Sequence, residues 1–176
     1  GHTFRTSSDT EVIVHGYEEY GDDVVNQLNG MFAFAVWDAR RQRLLLARDR
    51  VGKKPLYYYH DGERLIFASE LKALLQESTL PRRISLPALW HYLTLQYVPD
   101  PLTIFEGIYK LPPAHTLAWH AGQFQLRRYL DLCYEPKLTP GEDELMAMAR
   151  EGARILGASA GSDLPRWGWP PSCSSP

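Results

Sequence analysis

The sequence predicts an α+β fold built around mostly antiparallel strands. Short apolar runs come in pairs joined by polar links, which is typical of β-hairpins. Segments with helical spacing stand before and after these pairs. The 176 residues are 44% hydrophobic and 23% charged, a globular composition that excludes a disordered, collagen-like or coiled-coil chain. This length corresponds to one domain, or to one domain with a further piece.

The first predicted element is a helix over residues 9–20. Ser8 is followed three positions later by Glu11, the spacing of a capping box, in which each side chain caps the backbone N–H of the other residue. Apolar side chains then recur every three or four residues, and Gly21 provides a stop for the helix. A second, short helical segment is predicted over 22–28.

Two hairpins follow. The first joins residues 31–37 to 43–49 through a polar turn, and the second joins 55–60 to 64–69 through an Asp-Gly pair at 61–62, a strong turn signal. The strands of the first hairpin are apolar almost throughout, which predicts burial on both faces. Together the two hairpins predict four antiparallel strands in sequence.

The rest of the chain predicts three helices and one more hairpin. Residues 69–75 and 85–95 each begin with a serine suited to capping a helix. Residues 115–119 and 124–129 form the last predicted hairpin, after a proline-rich extended loop. A further helix is predicted over 142–155. In the 85–95 helix, the predicted apolar side carries Leu89, Trp90 and Leu93.

Charge and cysteine content narrow the range of partners. The net charge is −2, from 19 Lys and Arg against 21 Asp and Glu, so we expect no binding to nucleic acid or to an anionic membrane. No apolar stretch is long enough to span a membrane. Cys133 and Cys173 form no CxxC pair and no dense disulfide framework, which favours a reducing, cytoplasmic location.

Residue spacing alone identifies no catalytic or metal centre. The sequence has no nucleotide-binding glycine motif of the GxGxxG or GxxxxGK[ST] type. Its histidines show no paired-ligand spacing, so a surface or core role is predicted for each, and no metal site is expected. These histidines are His2, His15, His60, His91, His115 and His120.

Four stretches, in this order, carry a family resemblance. They are SSDTEVI at 7–13, LNGMFAFAVWD at 28–38, ARDRVGKKPLYY at 47–58 and FASELKAL at 67–74. Together they resemble the glutaminase half of glutamine-hydrolysing asparagine synthetase, a class II glutamine amidotransferase. YVPDPLTIF at 97–105 and IYKLPPAH at 108–115 also resemble this family, in the segment that joins its two domains. The similarity spans about residues 3–150.

The resemblance implies an αββα sandwich of the N-terminal-nucleophile class. It implies hydrolysis of glutamine by an N-terminal cysteine whose own α-amine acts as the base. In the family the released ammonia passes to a second domain, where ATP-activated aspartate accepts it. ATP and Mg²⁺ are therefore the cofactors expected of the intact enzyme, glutamine, aspartate and ATP are its expected substrates, and a homodimer is an assembly often found in the family.

The sequence also departs from the family. The chain opens with Gly1 rather than the cysteine nucleophile, and the family's arginine-bearing strand and Asn-Gly-Glu loop would lie upstream of it. Asn29 belongs to the Asn-Gly-Met-Phe stretch and does not replace that loop. We therefore expect an incomplete fragment, in which no catalytic residue is assigned, no cofactor is bound and glutamine is not turned over.

Asp9 is the one glutamine-contacting residue that the resemblance carries over, from the family's Ser-Asp turn. Its carboxylate would pair with the α-ammonium group of the substrate, a charge-assisted contact. The alternative interpretation is a helix-start residue favoured by the helix dipole. For Arg48 and Asp49 a structural role is preferred over a catalytic one, since the two ions would fix a turn in which Gly52 has a positive φ.

The predicted organisation has three parts. Residues 1–130 form the amidotransferase type 2 domain without its N-terminal part, and 131–156 form a linker and the first helix of the synthetase domain. Residues 157–176 form an irregular tail, for which the hypothesis is an out-of-frame end. The leading interpretation is a fragment of an asparagine synthetase-like ligase. The alternative is a catalytically inactive amidotransferase-like module that binds or scaffolds a partner. Another class II enzyme, such as a phosphoribosyl amidotransferase or glutamate synthase, is less favoured because 97–115 resembles the synthetases.

Overall fold

The computed structural model describes residues 1–131 and 141–158, with side chains up to residue 151. It comprises two compact units, Gly1–Leu130 and Asp131–Pro176. The three-part division drawn from the sequence stays a prediction. Cys133, Cys173 and the predicted tail beyond residue 158 lie outside the described residues.

The helices form largely where the sequence predicts them. In chain order they are α1 (Asp9–Tyr20), α2 (Val24–Gln27), α3 (Leu71–Leu74), α4 (Leu86–Leu95) and α5 (Glu142–Ala158), with a 3₁₀ turn at Gly21–Asp23. Ser8 caps α1 by accepting from the N–H of Thr10, and Gly21, at φ +57°, ends it. Ser85 caps α4 by accepting from the N–H of Ala88. Across the described residues, no helix combines the length and the apolar character needed to cross a membrane.

The strands form two sheets in which every neighbouring pair is antiparallel. The first sheet has the order β1-β2-β6-β7 and the second has the order β4-β3-β5. The three predicted hairpins are confirmed, although the first two lie in different sheets. The strands are β1 (Ala33–Asp38), β2 (Arg43–Arg48), β3 (Tyr57–His60), β4 (Leu65–Ala68), β5 (Ile108–Lys110), β6 (His115–His120) and β7 (Gln123–Arg128).

The two sheets stack between helices in an αββα order. One core cluster joins α1 and α2 to the first sheet and contains Tyr17 and Leu45. A second cluster lies between the sheets and contains Leu46 and Tyr58. Leu45 and Leu46 fall into different clusters because successive strand residues point to opposite faces. A third cluster packs α3 on the far side of the second sheet, around Leu74. The α+β class and the layered sandwich are therefore confirmed.

Two exposed surfaces differ from the predictions. β1 is not buried on both faces, since Ala35 is exposed and Trp37 is 51% exposed. The reason is that the core between the sheets contacts β1 at Ala33, which leaves the rest of that face open. On α4, the predicted apolar side is also open, with Trp90 70% and Leu93 71% exposed.

Two local predictions were wrong. Ser69 does not cap α3, because the residue before this helix is Glu70, whose side chain makes no capping hydrogen bond. The 97–115 segment, predicted to be an extended proline-rich loop, contains a strand. It supplies β5 to the second sheet, and both Thr103 and Leu111 are buried. The hydrogen bonds of β5 to β3 come from a distant part of the chain, which short-range sequence patterns do not report.

Candidate glutamine-binding site

The start of α1 presents Asp9 to solvent. Asp9 is the first residue of the helix, directly after the Ser8 cap, and it is exposed. Within residues 1–131 and 141–158, its carboxylate makes no hydrogen bond and no ion pair. Unpaired N–H groups at a helix start favour negative charge, and a carboxylate without an internal partner is able to receive a cationic group. The two interpretations of Asp9 therefore both stay predictions.

Glu11 fixes the chain that leads into α1. Its Oε1 accepts from the N–H of Arg5 at 2.7 Å, and its Oε2 accepts from both the N–H and the hydroxyl of Thr6. The capping box was predicted to use the N–H of Ser8, which donates to Thr6 Oγ1 instead. The other half does not form either, because Ser8 Oγ accepts from the N–H of Thr10 and not from that of Glu11. Glu11 instead reaches past the cap residue to the segment before it.

The contacts of Glu11 make it a strong acid. The hydroxyl of Thr6, and after it the N–H of Arg5, lower the pKa of Glu11 to about 2, against the opposing effect of burial. Glu11 is therefore ionised at neutral pH, and its carboxylate fixes the backbone segment that precedes Asp9.

An open depression lies between α1 and residues 1–8. Its volume is about 870 Å³, and its lining includes Arg5, Thr6 and Glu11. Asp9 is adjacent to this depression in sequence but is not among the residues that line it. A ligand on the Asp9 carboxylate would therefore lie beside the depression.

Arg48 ends β2 in the interior of the first unit. Its guanidinium donates to the backbone oxygens of Gly52, Lys54 and Leu111 at 2.6 to 2.8 Å. It also donates to the Asp100 carboxylate at 3.0 Å. These contacts tie three separate loops to the end of one strand.

Asp49 follows as a fully buried carboxylate. Its Oδ1 accepts from the N–H groups of Val51 and Lys53, and its Oδ2 accepts from the N–H of Lys54. Burial by itself would raise the pKa of this carboxyl, but the three N–H donors and the Arg48 charge outweigh burial and lower it. Both oxygens are occupied by the protein itself, so the structural interpretation of the pair is confirmed.

Gly52 completes this turn at φ +67°. A Cβ atom at this position would lie 2.8 Å from Cγ of Pro113 and 3.0 Å from Cζ of Arg48. Glycine is therefore required here both by the left-handed backbone and by the lack of space.

The structure also brings together residues that sequence spacing left apart. The rings of His2 and His15 stack with centroids 4.6 Å apart. His2, His15 and Glu18 each offer one nitrogen or oxygen atom that could ligate a metal, and these three atoms lie within 4.8 Å of one another. His15 and Glu18 are three positions apart on α1, which is a local signal, whereas His2 approaches them only because residues 1–8 fold back along the helix.

Comparison with known proteins decides the family. The model of the glutamine amidotransferase domain family matches residues 1–130. The chain belongs to this family. Asparagine synthetase [glutamine-hydrolyzing] 3 of Bacillus subtilis is 40% identical over 151 residues, which cover 85% of this chain and 24% of that protein. Putative asparagine synthetase [glutamine-hydrolyzing] 2 of Methanocaldococcus jannaschii is 37% identical over 127 residues, which cover 71% of this chain and 25% of that protein.

The chain thus spans about a quarter of the length of the curated relatives it matches. Among solved structures, glutamine phosphoribosylpyrophosphate amidotransferase from B. subtilis aligns with a TM-score of 0.46 and 20% identity, over 74% of this chain and 24% of that one. The resemblance read from the sequence motifs is confirmed at the level of the family.

Proposed function

We propose that this chain is the glutamine-binding part of an asparagine synthetase-like ligase, in which ammonia from glutamine is transferred to ATP-activated aspartate. The observation that carries the proposal is the exposed Asp9 carboxylate at the start of α1, in a chain of the glutamine amidotransferase family. The identity of 40% to a glutamine-hydrolysing asparagine synthetase supports this acceptor chemistry over that of other amidotransferases.

In this proposal, Asp9 binds and orients the substrate. Its carboxylate accepts hydrogen bonds from the α-ammonium of glutamine, and both partners carry charge, which strengthens the contact. Glu11 acts through the backbone, because its bonds to Arg5 and Thr6 set the path of the chain into α1. The buried Arg48 and Asp49 take no part in binding, since their polar atoms are used inside the fold.

The chemical steps are assigned to groups that the family resemblance implies. A cysteine nucleophile would attack the side-chain amide of glutamine, and ATP with Mg²⁺ would activate aspartate in a synthetase domain. We propose that the 176 residues alone bind neither ATP nor Mg²⁺ as a cofactor and release no ammonia from glutamine. A cytoplasmic location and a homodimeric assembly are part of the same proposal.

The test is glutamine binding to the full chain, measured by isothermal titration calorimetry. Asp9→Asn should weaken binding about tenfold to a hundredfold, the range expected for a lost charge-assisted hydrogen bond. The matched control is Asp143→Asn, which removes another exposed acidic residue from the first turn of a helix, α5. Equal affinity in the wild type and Asp9→Asn would overturn the role of Asp9. Ammonia release by the purified chain would contradict the expected lack of turnover.

The DNA sequence that flanks the coding region distinguishes the enzyme from the alternative, an inactive binding or scaffold module. Codons for a Met-Cys-Gly start, an arginine-bearing strand and an Asn-Gly-Glu loop before Gly1 would support the enzyme. A natural start codon at Gly1 would support the module.

A further inference from the structure

A cluster of histidines and glutamates lies where residues 1–8 meet α1. The Oε2 atom of Glu18 is 3.1 Å from Nδ1 of His15 and 3.4 Å from Nδ1 of His2. We propose that His2, His15 and Glu18 bind a divalent transition-metal ion of the Zn²⁺ type. This site is separate from the proposed glutamine contact, and it does not depend on it.

The donor set and its spacing suit zinc. Zn²⁺ takes imidazole nitrogen and carboxylate oxygen at about 2.0–2.2 Å in tetrahedral geometry, and two histidines with one glutamate form a known three-ligand set. Neighbouring ligand atoms of such a tetrahedron stand roughly 3.4 Å apart, which follows from those bond lengths. The two nitrogen-to-oxygen distances of 3.1 and 3.4 Å are already close to this spacing.

The outer nitrogens of both rings face further carboxylates. Nε2 of His2 lies 3.4 Å from Oε2 of Glu19, and Nε2 of His15 lies 3.5 Å from Oε1 of Glu11. The Nε2 atom of His15 is buried and has no hydrogen-bond partner. A metal on Nδ1 keeps the proton on Nε2, and metal-bound histidines commonly donate that N–H to a carboxylate. Glu11 and Glu19 therefore stand where outer partners of a zinc site are found.

The local charge also favours a cation. Glu18 and Glu19 lie in the last turn of α1, which has no basic residue, at the negative end of the helix dipole. The aspartates that follow, Asp22 and Asp23, each pair with an arginine. By contrast, in the part of the chain that the structure describes, Glu18 and Glu19 pair with histidines only. A divalent ion would neutralise this surplus of negative charge.

Binding requires one ring to turn. The two imidazoles are stacked with an angle of 27° between their planes, whereas a metal ion must lie near the plane of each ring that ligates it. Phe4 packs edge-on against His15, with ring centroids 5.0 Å apart, and so holds that ring. His2, whose side chain is 34% exposed, is the ring that turns toward the ion. The bound ion would then fasten residues 1–8 to α1.

The experiment is titration of the full chain with Zn²⁺, followed by calorimetry and by thermal unfolding. The chain should carry a histidine-free tag before Gly1, so that a free amino terminus beside His2 cannot chelate the metal. We expect one Zn²⁺ per chain and a higher Tm with Zn²⁺ than with EDTA, because a ligand that binds only the folded state stabilises it. Co²⁺ in place of Zn²⁺ should give the visible absorption of a tetrahedral site.

Substitutions identify the ligands. His2→Ala and Glu18→Gln should each abolish the Tm shift while leaving the Tm in EDTA close to that of the wild type. Glu19→Gln, which removes an outer partner, should weaken affinity about tenfold. The matched control is His120→Ala, since His120 is an exposed histidine outside the cluster. The proposal is overturned if the wild type binds no Zn²⁺, or if binding survives His2→Ala and Glu18→Gln.

Discussion

Asp49 and Asp9 are two carboxylates of the same unit with opposite surroundings. Asp49 is fully buried, and three backbone N–H groups occupy its oxygens. Asp9 is exposed, and no described residue pairs with its carboxylate. Both residues lie in stretches that resemble the same family. The difference teaches that an acidic residue in a family motif can serve the fold itself, as Asp49 does, whereas the exposed carboxylate of Asp9 is available for the proposed contact with a ligand.

Glu11 lies between these extremes. It stands two residues after Asp9 on the same helix, yet its carboxylate is occupied by Arg5 and Thr6. The three acids therefore form a series: the carboxylate of Asp49 is buried with all its partners in the fold, that of Glu11 binds the segment before α1, and that of Asp9 has no partner among the described residues. The loss of stability on removal of each charge should therefore be largest at Asp49 and become smaller along this series.

The largest loss is expected for Asp49→Asn, about 3 kcal/mol in the free energy of unfolding. The amide nitrogen would face backbone N–H groups that need an acceptor, and the adjacent Arg48 would lose a compensating charge. Urea unfolding of the full chain measures this loss. Asp61→Asn is the matched control, because Asp61, like Asp49, accepts from backbone N–H groups of a turn and lies near an arginine, but it is exposed. Equal losses in the two variants would contradict the role assigned to burial.

A smaller loss, about 2 kcal/mol, is expected for Gly52→Ala. Alanine would have to hold φ +67° and place its Cβ against Pro113 and Arg48. Gly21→Ala is the control, since Gly21 has a similar φ of +57° and open space around it. Gly21→Ala should lower the free energy of unfolding only through backbone strain, by about 1 kcal/mol. If urea unfolding gives the two variants the same stability, the close contact at Gly52 contributes nothing.

Local signals account for the parts of the fold that were predicted well. The Ser8 cap and Gly21 stop bound α1, and the Asp-Gly pair at 61–62 lies between β3 and β4. β5 was missed because its strand character depends on pairing with β3, some fifty positions earlier. The openness of β1 was missed because an apolar run does not show whether a second sheet covers it.

The candidate site was predictable only in part. Asp9 came from family resemblance, since nothing in composition or spacing distinguishes it from any helix-start aspartate. Glu11 was noticed for its spacing but given the wrong partner, because the path of residues 1–8 is a matter of tertiary structure. The approach of His2 to His15 was invisible for the same reason, as thirteen positions separate the two.

The smallest of these stability effects should appear in Glu11→Gln, as a dependence on pH. The pKa of Glu11 is lowered from 4.5 to about 2, chiefly by the Thr6 hydroxyl, so the carboxylate stabilises the folded state fully above about pH 4.5. As pH falls from about 4.5 to 2, the group takes up a proton in the unfolded chain first, and the stabilisation is lost. The Tm difference between wild type and Glu11→Gln should therefore be constant near neutral pH and vanish toward pH 2.

The Tm difference between the wild type and Glu11→Gln reports on Glu11 alone. Asp38, Asp61 and Glu77 also have lowered pKa values, but they are present in both proteins and cancel. Glu63→Gln, an exposed substitution in the turn between β3 and β4, is the control for loss of one negative charge. A Tm difference that persists at pH 2 would show that the contacts of Glu11 do not depend on its charge. If the Tm difference vanishes at pH 2 as expected, Glu11→Gln should also weaken glutamine binding at neutral pH. Glu11 does not contact the ligand in this proposal, but without its charge the backbone that leads to Asp9 would be held less firmly.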